Sequence, residues 1–217
     1  MPPRAALCVV VLLLAPCIVS AQLNLRPTQR SGLVARNVSC ANAMERSGLV
    51  ARDFSAASTT QTRTPDIFFA PTWYPVADEM LKLADVRPDD VVYDLGSGDG
   101  RIVILAAQKY GARAVGIELD PWLVEISKQV ARDGQVSDRA TFVQGDLFDA
   151  DISPATVVTL YLSYSFNRRL EPKLRKELRP GTRIVSHQFT IGTWTPDKRV
   201  HSDVDGTDLL LWTVPAR

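Results

Sequence analysis

The stretch "VVYDLGSGDGRIVI", Val91 to Ile104, constrains the fold more than any other part of the chain. A short apolar run ends in a carboxylate, Asp94, and turns through Gly96-Ser97-Gly98-Asp99-Gly100 into an apolar-faced run, Arg101 to Tyr110, that Gly111 stops. Strand, glycine turn and helix in that order open a parallel α/β sheet, because parallel strands need a long crossover and the crossover is usually a helix. The alternation continues. Ala114 to Glu118 reads as a second strand, Pro121 to Asp133 as a helix with proline in its first turn, Ala140 to Gln144 as a third strand, and Thr156 to Leu162 as a fourth. Pro172 is expected to open a helix that Gly181 closes, and Arg183 to Gln188 to form a fifth strand. A hairpin about Asp205-Gly206 then leads into "DLLLWTV". The expected class is α/β, an open and mostly parallel sheet with a C-terminal antiparallel hairpin. Ligands of such sheets bind beyond the carboxyl ends of the strands, where every motif below falls.

The chain has 217 residues, 46% of them hydrophobic, enough for one domain with a full core. Three segments are expected: residues 1–21 as a signal peptide or membrane anchor, 22–64 as a flexible linker, and 65–217 as the folded domain. The leader has Arg4, an apolar run from Ala5 to Val19, and small Ser20 and Ala21 before Gln22. It predicts a protein exported or membrane-anchored through residues 1–21. If uncut, Arg26, Arg30 and Arg36 behind it favour a cytoplasmic domain. The linker carries a near-duplication, "RSGLVARNVS" and "RSGLVARDFS", too few copies for a repeat architecture. Cys8 and Cys17 lie in the leader and Cys40 is alone behind it, so a processed chain has no internal disulfide and no thiolate metal cluster. No metal is expected. A formal net charge of +1 gives no basic surface to track phosphates, so no nucleic acid partner is expected.

The glycine turn is not a dinucleotide fingerprint. Its spacing is G-x-G-x-G, and Arg101 stands where the third glycine of G-x-G-x-x-G would be. Asp94, two residues before the first glycine, would face a pyrophosphate with like charge. A cofactor with a positive amino group and no phosphate fits both departures, and S-adenosylmethionine is one. Glu118 ends the second strand about twenty residues on, where such folds place an acid for ribose hydroxyls. Asp120 either assists it or caps the helix at Pro121. Asp146 and Leu147, closing "VQGDLF", are candidates for the adenine amino group and ring face, or for a turn.

Taken together, "VVYDLGSGDGRIVI", "AVGIELDP", "QGDLF", "VVTLYL" and "LRPGTRIVSHQF" resemble the class I S-adenosylmethionine-dependent methyltransferases, whose fold is Rossmann-like. Within them the chain is similar to the bacterial and mitochondrial group related to the ATP synthase c-subunit lysine methyltransferases, with a fainter likeness to the Dot1 type. The resemblance implies that Asp94, Gly96, Ser97, Gly98 and Gly100 hold the methionine part of the cofactor, Glu118 the ribose and Asp146 the adenine. It also makes Pro71 and Thr72, in "FFAPTWYPVADEML", contacts from a segment over the cofactor. The proline-containing segment that relatives carry after the fourth strand is here "LYLSYSFN".

The implied activity is N-methylation of a protein lysine, with membrane proteins among the candidate substrates and membrane association through the N-terminal segment. A small-molecule methyltransferase and a catalytically silent binding module are the alternatives. Lysine must be neutral to accept a methyl group, and at a pKa near 10.4 only about one in a thousand is neutral near pH 7.4. Tyr161, the catalytic candidate, with Tyr164 and Phe166, is placed to form a dry channel that favours the neutral amine. His187 is a base or, more often for such a residue, a hydrogen-bonded structural histidine. The basic run "NRRLEPKLRKELR" reads first as a solvated helix face.

Overall fold

A computed structural model of the chain describes residues 70–216. The elements are α1 (Tyr74–Leu83), β1 (Val91–Leu95), α2 (Arg101–Tyr110), β2 (Arg113–Glu118), α3 (Pro121–Asp133), β3 (Ala140–Gln144), β4 (Val157–Leu160), α4 (Tyr164–Glu177), β5 (Arg183–His187), β6 (Lys198–His201) and β7 (Asp208–Thr213). The strands form one sheet in the order β3-β2-β1-β4-β5-β7-β6. Neighbours from β3 to β5 are parallel, and β7 runs antiparallel to both β5 and β6. The expected α/β class and its C-terminal hairpin are what the chain forms.

Alternation along the strands feeds two cores. Val92, Val157, Val185 and Leu209 face one side, where they meet Met80 and Leu81 of α1, Val103 and Ala106 of α2, and Val124 of α3. Leu95, Val158, Leu160, Ile184, Leu210 and Trp212 face the other, against Leu170 and Leu174 of α4. β4 is buried at all four residues, as a central parallel strand covered on both faces must be. The edge strand β6 is mostly exposed, and its Lys198, Arg199 and His201 discourage pairing with another chain.

A buried ionic cluster ties the amino-terminal ends of the central strands together. Asp90, 5% exposed just ahead of β1, accepts from the Thr156 hydroxyl at 2.6 Å, the Arg87 amide at 2.8 Å and Arg183 Nη2 at 2.6 Å. Burial pushes its pKa up, but those donors outweigh burial and hold it below the usual carboxylate value.

Three local expectations differ from the structure. Tyr74–Leu83, expected only as part of a segment over the ligand, is the helix α1, because Pro75 stands in its first turn, where a missing N–H costs nothing. Pro172 does not open a helix but lies inside α4, which starts at Tyr164 behind the Ser163 cap. Burial of Asn167, Leu170 and Leu174 at helical spacing outweighs the one backbone bond that proline forfeits. The fourth strand stops at Leu160, and Tyr161 and Leu162 leave the sheet.

The expected placement of the protein, exported or membrane-anchored through residues 1–21, is corrected. Among the described residues no helix is long and apolar enough to cross a membrane. The longest, α4, has 14 residues and is rich in charge, against the roughly 20 apolar residues a span needs. Residues 1–21, the linker 22–64 and Cys40 lie outside the described residues.

Candidate functional site

The carboxyl ends of β1, β2, β3 and β4 open on a cavity of about 170 Å³. Its floor is the glycine turn. Gly96, Gly98 and Gly100 take φ of +81°, +55° and +79°, conformations that side chains disfavour. The Gly96 and Ser97 amides both donate to the Ile117 carbonyl, at 2.9 and 3.0 Å, which pins the turn to β2. That approach requires Gly116 on β2, where a Cβ would lie 2.6 Å from Ser97 Oγ and 2.8 Å from Phe142. The Ser127 hydroxyl of α3 reaches the Gly98 carbonyl at 3.1 Å from behind. Sequence reasoning passes over both Gly116 and Ser127; a glycine inside a strand pattern is the available signal for the first.

Glu118 is held rather than free. Its Oε2 accepts from the Gly98 amide at 2.8 Å, and its Oε1 from the Leu119 and Asp120 amides at 2.8 and 2.9 Å. It lines the cavity with Gly96, Ser97, Gly98 and Asp99. Gly100 does not line it. It opens α2 on the far side, where a Cβ would lie 2.6 Å from the Phe142 ring. Asp120 caps α3, accepting from the Trp122 amide at 2.9 Å.

Asp94 is 3% exposed and also lines the cavity. It is the register partner of Thr159 on β4, so both side chains leave the sheet on one face, and the Thr159 hydroxyl donates to Asp94 Oδ1 at 2.7 Å. Among the described residues no cation pairs with it. Burial, with the nearby Glu118 and Asp99 carboxylates, pushes its pKa up to about 7, and the Thr159 hydroxyl offsets only part of this.

The remaining walls come from separate elements. Asp146 and Leu147, with Phe148, follow β3, and Asp146 Oδ1 accepts from the Phe148 amide at 2.9 Å. Pro71 and Thr72 come from the segment before α1. Tyr161, Leu162 and Phe166 form the aromatic side, while Tyr164 is half exposed at the start of α4. His187 lies behind Tyr161, not in the cavity lining. The two rings stack at 4.1 Å, and His187 Nε2 sits 2.9 Å from Asp205 and 2.8 Å from the Thr207 hydroxyl. Burial lowers its pKa and favours the neutral ring, although Asp205 pulls the other way. The basic run lies on α4, where Lys173 pairs with Glu177 and Arg175 with Glu171.

A buried carboxylate that no cation pairs with among the described residues, a glycine turn beneath a cavity and an aromatic far wall are features that suit a cationic nucleoside ligand. Comparison with known proteins points the same way. The model of the ANTKMT methyltransferase domain matches residues 94–198. A protein-lysine N-methyltransferase of Saccharolobus islandicus is 47% identical over 65% of this chain and 88% of its own length. The human lysine N-methyltransferase of the ATP synthase c-subunit is 36% identical over 63% of this chain, and the mouse adenine nucleotide translocase lysine N-methyltransferase 41% over 55%; the chain spans only 58% and 52% of their lengths. Among solved structures, an RNA methyltransferase from Salinibacter ruber in complex with S-adenosyl-L-homocysteine is 55% identical, with a TM-score of 0.66, over 68% of this chain and 95% of that one.

Proposed function

Because this chain belongs to the family of S-adenosylmethionine-dependent protein-lysine methyltransferases, we propose that its cavity holds the cofactor and that Tyr161 and Phe166 receive the acceptor lysine. The observation that carries this reading is Asp94, a buried carboxylate whose missing cation the cofactor's ammonium would supply. Gly96, Ser97 and Gly98 would then surround the methionine part, and the Ser97 hydroxyl, buried without a partner among the described residues, has a hydrogen bond to offer it. Glu118 has acceptor capacity left on its bound carboxylate for the ribose hydroxyls. Asp146 and Leu147 would take the adenine edge and face, and Thr72 would close over them.

S-adenosylmethionine supplies a methyl group on a sulfonium. The protein's part is to align the amine with it, to keep the amine neutral and to exclude water. Loss of water in such a channel disfavours the charged form of a lysine brought into it. The Tyr161 ring is held in place by its stack on His187, which Asp205 and Thr207 fix in turn.

A protein acceptor is favoured by the names of the archaeal and mitochondrial relatives, and the latter make membrane proteins candidates. RNA is the second reading, favoured by the name of the Salinibacter relative; the near-neutral charge speaks against it. The test is transfer from tritiated-methyl S-adenosylmethionine to host membrane and soluble extracts, with Asp94→Ala as control and protease and ribonuclease applied afterwards. A labelled band removed by protease and missing in the control supports the proposal, and label removed by ribonuclease overturns it in favour of RNA. Label confined to small molecules would reassign the activity, and cofactor binding without transfer would make the domain a silent module. Tyr161→Ala is expected to lower kcat by about tenfold or more while cofactor affinity stays unchanged.

A further inference from the structure

Arg101 is the residue that stands in the third glycine's place, and its side chain does something no glycine could. It begins α2, directly behind the glycine turn, and is 19% exposed. Nε and Nη2 bind the carboxylate of Asp99 in the turn, at 2.9 and 2.5 Å to its two oxygens. Nη1 reaches the other way and donates to the Thr72 carbonyl at 2.7 Å. The guanidinium also lies 5.1 Å from the ring centre of Tyr74. One planar group thus grips the floor of the cavity with one edge and the segment from Ala70 to Tyr74 with the other.

That segment is constrained by prolines and followed by a well-anchored helix. Pro71 within it and Pro75 just behind it fix backbone angles and remove two donors. Behind it α1 is anchored by Val76, Ala77, Met80 and Leu81, all fully buried. Ala70, Pro71 and Thr72 line the cavity together with Asp99 and Arg101. We propose that Arg101 is a positioning residue that latches this strap onto the glycine turn and so sets how long the cofactor stays bound. The inference rests on the cofactor lying in this cavity.

The rival role is direct binding of the cofactor's carboxylate. The geometry is against it, because Asp99 already neutralises the guanidinium and all three of its nitrogens have partners within the protein. The two roles separate with a pair of ligands. S-adenosylhomocysteine has the amino-acid carboxylate, and 5′-methylthioadenosine lacks the amino-acid part. Dissociation of each is measured by stopped flow from the full-length wild type, Arg101→Gln, Arg101→Lys and Tyr74→Ala, with hydrogen exchange of the peptide covering 70–83.

The latch predicts that Arg101→Gln speeds release of both ligands by a similar factor, on the order of tenfold, and accelerates exchange in the strap but not in β1 and β2. Arg101→Lys, which keeps the charge but not the two-sided fork, falls between. Tyr74→Ala, on an exposed ring, shifts both rates the same way by a smaller factor and guards against misfolding of the Arg101 variants. Faster release of S-adenosylhomocysteine alone, with unchanged strap exchange, would assign Arg101 to the carboxylate and overturn the latch; unchanged release of both would overturn it too. If S-adenosylhomocysteine fails to protect the glycine turn from exchange in the wild type, the cavity placement itself falls, and the latch with it.

Discussion

At the amino-terminal end of β1 and β4, Asp90 accepts a hydrogen bond from Thr156; at the carboxyl-terminal end of the same pair, Asp94 accepts one from Thr159. Both acids are buried, 5% and 3% exposed, and the two hydroxyl bonds are 2.6 and 2.7 Å long. The first acid is completed by Arg183 and its pKa is depressed; the second pairs with no cation among the described residues and its pKa is raised to about 7. The sheet therefore carries one closed ionic joint and one left open, and the open one lies at the end where ligands of such sheets bind. Stability is concentrated at one end and given up at the other.

The sharpest way to break this contrast is to neutralise each acid in turn. Asp94→Asn is expected to weaken cofactor binding by about 100-fold or more, since it removes the partner of a buried ammonium. It should also make the cofactor-free protein more stable at pH 8, by roughly 1–3 kcal/mol, because a carboxylate whose folded pKa is raised costs stability as pH climbs from its unfolded value toward about 7. Calorimetric titration and urea unfolding read the two effects, and a variant that loses binding and stability together would contradict the account. Asp90→Asn should do the reverse. It leaves the part-buried Arg183 without its carboxylate, holding only the Ala84 carbonyl among the described residues, costs about 2–3 kcal/mol in urea unfolding, and leaves cofactor affinity within about twofold. The sign for Asp90 is the opposite of that for Asp94: its depressed pKa gives stability present above the ordinary carboxylate pKa and lost in acid.

Two smaller effects sharpen the comparison. Affinity for S-adenosylhomocysteine should rise about tenfold per pH unit up to about 7 and then level off, as Asp94 loses its proton on pairing. Titrations in buffers of different ionisation heat should show proton release in the wild type and none in Asp94→Asn. Thr159→Val removes the one hydroxyl that helps Asp94 ionise, so the plateau should move to higher pH, with a loss of about fivefold at pH 7.

The glycine-turn side of the cavity is legible from sequence because its demands are local. Asp94, the glycine turn and Glu118 fall within 25 consecutive residues from Asp94 to Glu118 and carry strong backbone demands. Gly100 shows the limit of that reading: its place in the pattern suggests a ligand contact, whereas it is needed for packing on Phe142. The far wall is assembled from Tyr161 in the turn after β4, Phe166 on α4 and, behind Tyr161, His187 at the end of β5, and the stack of His187 on Tyr161 depends on strand order rather than spacing. Arg101 is visible in the sequence only as a departure from another motif, and its grip on Thr72 needs the strap's position, 29 residues away. The start of α4 is hidden by Pro172, which reads as an opening residue and masks the helical spacing of Asn167, Leu170 and Leu174.

The place of β7 in the sheet bears on how the protein is made. It is inserted between β5 and β6 although it follows both in the chain, and its Leu209 belongs to the same core as Met80 of α1. Its Trp212 is fully buried in the opposite core. During synthesis neither core can close until residues 208–213 have left the ribosome, and until then β5 has an open edge. The strand that completes both cores is thus the last one made, and a translational stall or truncation ahead of Asp208 would leave an adhesive sheet edge rather than a smaller working enzyme.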